Sequence, residues 1–290
     1  MHRKTVEYSR WGMTPPYKNE RAERKKTKMA NKIERQFKDR GKEGAVRLNK
    51  YLSEAGVCSR READKLIEQG IVFVDGKRAV TGTKVEPGQE VRVGKKVLSR
   101  QDKMVVLAVN KPRGIVCTEE RRERDSIVRF LNYPVRVTYI GRLDKDSEGL
   151  LLMTNNGDII NKMMRAGNHH EKEYKVTVNK PITEEFLKKM SEGVPILDTV
   201  TRPCKVEAIG KYKFKIILTQ GLNRQIRRMC EALGYEVKEL FRTRIMNIEI
   251  GNLKSGQYRE LTDEELNGLY ELIKDSSNET VKWETGGQHE

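Results

Sequence analysis

The first 45 residues sustain no apolar stripe. Lys, Arg, Glu and Gln dominate from Glu20 to Lys42, a composition that favours helix locally but leaves no face to bury. From Val46 the pattern changes. Leu48, Leu52 and Ala55 recur at helical spacing and Gly56 ends the run. Ser59-Arg60-Arg61-Glu62 has the form of a capping box, in which the first side chain and the fourth satisfy each other's backbone N–H groups. The helix it starts carries Ala63, Leu66 and Ile67 on one face and stops at Gly70. Ile71–Val74 reads as a short strand, Asp75-Gly76 as a hairpin turn, Pro87-Gly88 as a second turn and Glu90–Val93 as a last strand. Residues 46–93 therefore predict a small module of two helices and a few strands. A basic extension over 1–45 precedes it and a polar linker over 94–104 follows.

Beyond residue 104 the period alternates between two and about 3.6. Strands are predicted at Val105–Val109, Val135–Ile140, Leu150–Thr154, Glu173–Val178, Cys204–Ala208, Phe214–Thr219, Glu236–Phe241 and Ile245–Ile250. Helices are predicted at Asp158–Arg165, Glu184–Ser191, Arg224–Leu233 and Asp263–Lys274, the last opened by the capping box Thr262–Glu265. Many strands with few helices, not in strict alternation, predict an α+β domain over 105–275 around a mixed, mainly antiparallel sheet. A polar tail over 276–290 completes the chain.

Charge changes the picture. The 290 residues carry a net +16, and 14 Lys and Arg against 6 Asp and Glu put +8 of it in residues 1–45. A polyanionic partner, nucleic acid first, answers such an imbalance. Cys58, Cys117, Cys204 and Cys230 lie far apart with no C-x-x-C pair, which suits a reducing compartment rather than a disulfide framework or zinc ribbon. The longest apolar runs are about five residues where a bilayer span needs roughly 20, and the N-terminus has no apolar signal core, so the expectation is a cytoplasmic protein with no membrane partner.

Two segments concentrate polar chemistry. Arg60 and Arg61 occupy the first turn of a helix, a place that already favours phosphate and that adjacent guanidinium groups reinforce. The bland reading is a pair of solvated arginines. Gly141-Arg142-Leu143-Asp144-Lys145-Asp146-Ser147-Glu148-Gly149-Leu150 follows a predicted strand, and its flanking glycines permit a tight turn. If extended, Asp144, Asp146 and Glu148 would share a face and could hold a magnesium ion; if looped, Asp144 alone would project beside Arg142; the bland reading is a surface loop. Elsewhere, His169-His170 beside Glu171 and Cys58 near a helix start read as structural or surface residues.

Residues 46–93 resemble an S4 domain through Val46-Arg47-Leu48-Asn49-Lys50-Tyr51-Leu52, Cys58-Ser59-Arg60-Arg61-Glu62-Ala63-Asp64 and Val72-Phe73-Val74-Asp75-Gly76-Lys77. That resemblance implies RNA-backbone binding by the paired helices, with Arg47, Lys50, Arg60 and Arg61 as contacts. The Gly-Arg-Leu-Asp-x-Asp-Ser-x-Gly-Leu loop is similar to the signature of the pseudouridine synthases, in the branch acting on small- and large-subunit ribosomal RNA. The resemblance implies that Asp144 is the essential carboxylate. It further implies that Arg142 fills the space left by a flipped uridine, that Tyr174 in Glu173-Tyr174-Lys175-Val176 stacks on uracil, and that Arg227 pairs with the catalytic carboxylate. Arg227 lies in Gly221-Leu222-Asn223-Arg224-Gln225-Ile226-Arg227-Arg228-Met229, where Arg224 and Arg228 are further RNA contacts and Arg224 stands where many relatives have His. Asn110-Lys111-Pro112-Arg113-Gly114 matches a first motif that is mainly structural. Arg224, with the stretches 167–174 and 242–247, makes the chain most similar to one large-subunit member of the branch.

Isomerising uridine needs no redox change, group donor or energy input, so no cofactor and no metal are expected. The implied partner is structured RNA, 23S rRNA or a pre-ribosomal particle, with a tRNA as a further candidate and a monomer as the working state. The rival readings are a non-catalytic S4-type RNA-binding or ribosome-assembly protein, and a metal nuclease built on Asp144, Asp146 and Glu148.

Overall fold

The computed structural model describes residues 44–98, 104–120, 122–164, 170–274 and 276. The expected basic extension up to residue 43, residues 99–103 of the linker, the stretch 165–169 containing His169, and the tail from residue 277 lie outside the described residues.

The small module opens with β1 (Val46–Arg47) and helices α1 (Leu48–Glu54) and α2 (Arg60–Glu68). Five short strands follow: β2 (Val72–Val74), β3 (Lys77–Arg78), β4 (Lys84–Val85), β5 (Val91–Val93) and β6 (Lys96–Leu98). The capping box forms as its residue types demand: Glu62 N–H donates to Ser59 Oγ and Ser59 N–H to the Glu62 carboxylate. Asp75 and Gly76 both take positive φ, +48° and +77°, which lets β2 fold back on β3. The two helices bury Leu48, Leu52, Ala63 and Ile67 against Val72, Val74 and Val91. The stretch 94–104 is not all linker. Lys96–Leu98 pairs antiparallel with β5, because Gly94 turns the chain at φ +57° and Leu98 joins the module's core.

The larger body is built on one nine-stranded sheet in the order β13-β14-β10-β15-β9-β7-β17, with β16 on β15 and β8 on β9. Its strands are β7 (Val106–Lys111), β8 (Thr138–Ile140), β9 (Glu148–Thr154), β10 (Lys172–Val178), β13 (Lys205–Gly210), β14 (Lys213–Leu218), β15 (Val237–Ile245), β16 (Ile248–Glu249) and β17 (Tyr258–Glu260). A separate hairpin pairs β11 (Pro195–Ile196) with β12 (Thr199–Val200). Every pairing is antiparallel except β9 with β15. The helices are α3 (Ile127–Leu131), α4 (Gly157–Met164), α5 (Glu184–Glu192), α6 (Gln225–Ala232) and α7 (Asp263–Ile273). The two strands expected at 236–241 and 245–250 are β15, which runs on to Ile245, and the short β16, parted by Met246-Asn247, where Met246 takes φ +52°.

The central strand β9 positions the site. All but one of its seven residues are buried; Leu150 and Leu152 face the core under α4 and α7, Leu151 and Met153 the core under α3. One edge of β9 is divided. Glu148 and Gly149 pair with β15, whereas Leu152 to Thr154 pair with β8. The loop 141–147 connects β8 to β9, so it emerges where the sheet edge parts.

Candidate active site

Two elements supply the polar side chains at this break. The loop 141–147 runs between Gly141 and Gly149, both at positive φ (+72° and +101°). At Gly149 the reason is contact as well as angle: a Cβ there would stand 2.3 Å from the carbonyl oxygen of Arg242 on the adjoining β15. Facing the loop is the start of α6. Its N-cap, Arg224, sits in the left-handed region at φ +49° and makes no side-chain cap, a strained setting of the kind found where a side chain must be aimed.

The carboxylates of the loop separate into two kinds. Asp146 is gripped on both oxygens by Arg224, at 3.3 and 3.4 Å, and by Arg227 at 3.2 Å. Burial pushes its carboxyl up, but the Arg224 hydrogen bond and the charges of Arg227 and Arg224 outweigh this and hold it below the usual carboxylate range. Asp144 has one longer ion pair, to Arg224 at 3.6 Å, and its side chain is 36% exposed. Arg142 is exposed beside it. Asp144 and Asp146 share the Arg224 guanidinium, and among the described residues no three His, Cys, Asp or Glu side chains converge as metal ligands.

In place of the expected Arg227–Asp144 pair, the described residues show Arg227 on Asp146. Arg227 points inward, its side chain 12% exposed, and donates to the carbonyls of Val237 (3.3 Å) and Asp146 (3.1 Å) and to Ser147 Oγ (3.4 Å). It ties the loop to β15 and touches Asp144 only through its field. The guanidinium beside Asp144 belongs to Arg224, swung outward by its left-handed backbone. Nor is Asp144 enclosed in a dry pocket; its carboxylate opens to the surface of the break.

Tyr174 on β10 is half-buried and packs against both major cores flanking the site. Its partner in register is Arg242, whose Cζ lies 6.0 Å from the ring centroid. Two residues that lie in quoted motifs but were given no role at the site complete the floor. Lys111, at the end of β7, is fully buried and donates to the Pro112 carbonyl at 2.9 Å; burial lowers its pKa against the fields of Cys117, Glu148, Asp146 and Asp144. Arg242 is 1% exposed. A signal for it existed: it falls in phase with Leu240, at a strand position that the period of two turns inward.

The remaining residues lie elsewhere. Arg47, Arg60 and Arg61 are exposed on the small module, while Lys50 pairs with Asp158 of α4 at 3.0 Å across the seam between module and body. Arg228 folds back on Asn223. His170 is buried, bonded to the Lys162 carbonyl at 3.1 Å and to Ser276 at 3.3 Å, a structural arrangement.

A two-helix module with Arg47, Arg60 and Arg61 exposed, beside a mixed-sheet body whose strand break presents carboxylates held by arginines, has the make-up of an RNA-modifying enzyme. The RNA pseudouridylate synthase family model matches residues 105–232, and the S4 domain model matches residues 46–91. The dual-specificity RNA pseudouridine synthase RluF of Escherichia coli strain K12 is 58% identical over 239 residues, 82% of this chain and 82% of its own. Ribosomal large subunit pseudouridine synthase B of Bacillus subtilis is 35% identical over 241 residues, 80% of this chain and 98% of its own. A crystal structure of a pseudouridylate synthase, 30% identical, superposes with a TM-score of 0.57 over 77% of this chain and 99% of that one. The chain belongs to the RNA pseudouridylate synthase family and is an isomerase of uridine in RNA.

Proposed function

We propose that this enzyme converts specific uridines of large-subunit ribosomal RNA, and of a tRNA as second substrate, to pseudouridine, with Asp144 as the essential carboxylate. The observation that carries the assignment is the division of labour in the loop. Asp146 is held by two guanidinium groups, whereas Asp144 keeps one long ion pair and an open approach.

The reaction breaks the bond from uracil N1 to C1′, leaving the electron pair on the base. Uracil turns, C5 bonds to C1′, the C5 proton leaves and N1 regains one, so composition is unchanged. Attack by Asp144 on C1′ and removal of the 2′ proton both use a carboxylate at this place, with the Arg224 guanidinium 3.6 Å away. Tyr174 stacks on the freed base. Arg142, exposed next to Asp144, takes the gap in the RNA stack and offsets part of the few kcal/mol that flipping costs. Arg47, Lys50, Arg60 and Arg61 contact backbone phosphates on the S4 side, Arg224 and Arg228 at the entrance to the break. Relatives named dual-specificity and large-subunit synthases support the choice of substrates. The enzyme works as a monomer in the cytoplasm without cofactor or metal.

Carbodiimide mapping of pseudouridine in total RNA, from cells lacking the gene and cells complemented with wild type or Asp144→Asn, tests this. Specific sites should vanish on deletion and return only with wild type, in chelator as well as without it. Restoration by Asp144→Asn, with RNA binding intact, would remove Asp144 from its role.

A further inference from the structure

Arg242 is the largest fully buried side chain of the described structure. Its Nε donates to the Leu150 carbonyl at 2.6 Å, on β9 between the pairings with β15 and β8. Its Nη2 is buried with no hydrogen-bond partner. Among the described residues no carboxylate pairs with it, although Arg244, two positions on, pairs with Glu171 and Glu173. A second cation, the half-buried Lys172, lies close enough to feel its charge. Burying an unpaired guanidinium and orphaning one of its donors costs several kcal/mol, and such groups are rare enough in folded proteins to call for a reason. The place supplies one. The charge lies under the Tyr174 ring and next to Cys117, whose Sγ accepts from the N–H of Leu143, the residue before Asp144.

We propose that Arg242 is a positioning residue of the isomerisation: its guanidinium fixes the Tyr174 ring from beneath and supplies the positive charge that stabilises the uracil anion stacked on the opposite face. The inference rests on the assignment of Asp144 and Tyr174 to the uridine site. When N1–C1′ breaks, the electron pair spreads from N1 over both uracil oxygens. A fixed cation behind the stacking ring stabilises that anion more than the neutral base, which is what lowers a barrier. The charge is present before the reaction and needs no rearrangement, because packing against β9 holds it.

The test separates charge from packing through the leaving group. Fluorine at C5 withdraws electrons and stabilises the uracil anion by itself, so a site robbed of its cation loses less on 5-fluorouridine. Single-turnover consumption of the target nucleoside, read by nuclease digestion and chromatography, is compared for uridine and 5-fluorouridine RNA. Arg242→Met should slow uridine about 100-fold but 5-fluorouridine about tenfold or less, with RNA affinity within about threefold of wild type. Arg242→Lys, which keeps charge without the planar fork, should fall between and show the same bias more weakly. It carries the comparison alone if the Met variant does not fold. Equal losses on the two bases, or none, overturn the inference. Wild-type protein that leaves uridine unchanged overturns instead the assignment of the site on which it rests.

Discussion

Two arginines three positions apart do different work at the site. Arg227 satisfies the carbonyls of Val237 and Asp146 from the inside, so Arg227→Met strips buried acceptors of their donor and should cost roughly 1–3 kcal/mol in urea denaturation. Arg224 is exposed and reaches both Asp144 and Asp146. Arg224→Gln should shift stability by less than about 0.5 kcal/mol yet cut single-turnover rate at least tenfold; the two variants, measured side by side, should dissociate folding from turnover. Lys172 gives a pH signature. Burial and the nearby Arg242 pull its pKa down to about 8 from 10.5. Below pH 8 folded and unfolded chains both carry the charge, and folding bears its full burial cost. From pH 8 to 10.5 the unfolded chain holds more protons, so stability rises with pH over that window. Wild type should therefore gain on Lys172→Met between pH 7 and pH 10 in parallel urea titrations. A constant difference would place the lysine in water.

At the scale of elements, the sheet is decided by close approach. Gly149→Ala would drive a Cβ to 2.3 Å from the Arg242 carbonyl at a φ of +101°, and the resulting strain should cost about 3 kcal/mol or more, seen as a large fall in Tm with loss of turnover. Helix α7 shows the ordinary case. Thr262 and Glu265 cap each other's N–H groups, and Leu269, Tyr270 and Ile273 bury its inner face. Thr262→Ala should cost about 1 kcal/mol and leave turnover unchanged. Both capping boxes and the Asp75-Gly76 turn were legible because each is a local device. The edge strand Tyr258-Arg259-Glu260 and the five-residue helix Ile127–Leu131 were not, since neither is long enough to show a period; β7 and the surrounding core hold them in place. The strand expected at 236–241 runs on to Ile245 as β15, an extension hidden because Arg242, Thr243 and Arg244 interrupt the apolar pattern.

In the whole molecule the small module sits against the body through Lys50–Asp158 and a 3.4 Å hydrogen bond from Arg136 to Ser53. A cleft of about 250 Å³ lies along that seam, lined by Lys50, Arg60, Arg136 and Asn161 among others. RNA held on the module is thereby kept close to the body that modifies it. Replacing Arg60 and Arg61 together with Ala should weaken RNA binding and flatten the dependence of log Kd on log salt by about 0.7 to 0.9 for each phosphate no longer neutralised. The conversion rate of saturated enzyme should hardly change. An unaltered salt slope would place those arginines off the RNA.

The order of motifs along the chain sufficed to mark out a two-helix module, an α+β body and the loop carrying Asp144, since caps, turns and strand periods are set by neighbours a few residues apart. Which arginine meets which carboxylate was settled only in three dimensions. Arg224, Arg227, Asp144 and Asp146 come from segments about 80 residues apart, and the left-handed turn at Arg224 aims one guanidinium outward while the next turns in. The buried charge of Arg242 likewise takes its meaning from strands that meet only in the folded sheet, because the energy of a charge is fixed by what surrounds it and not by its place in the chain.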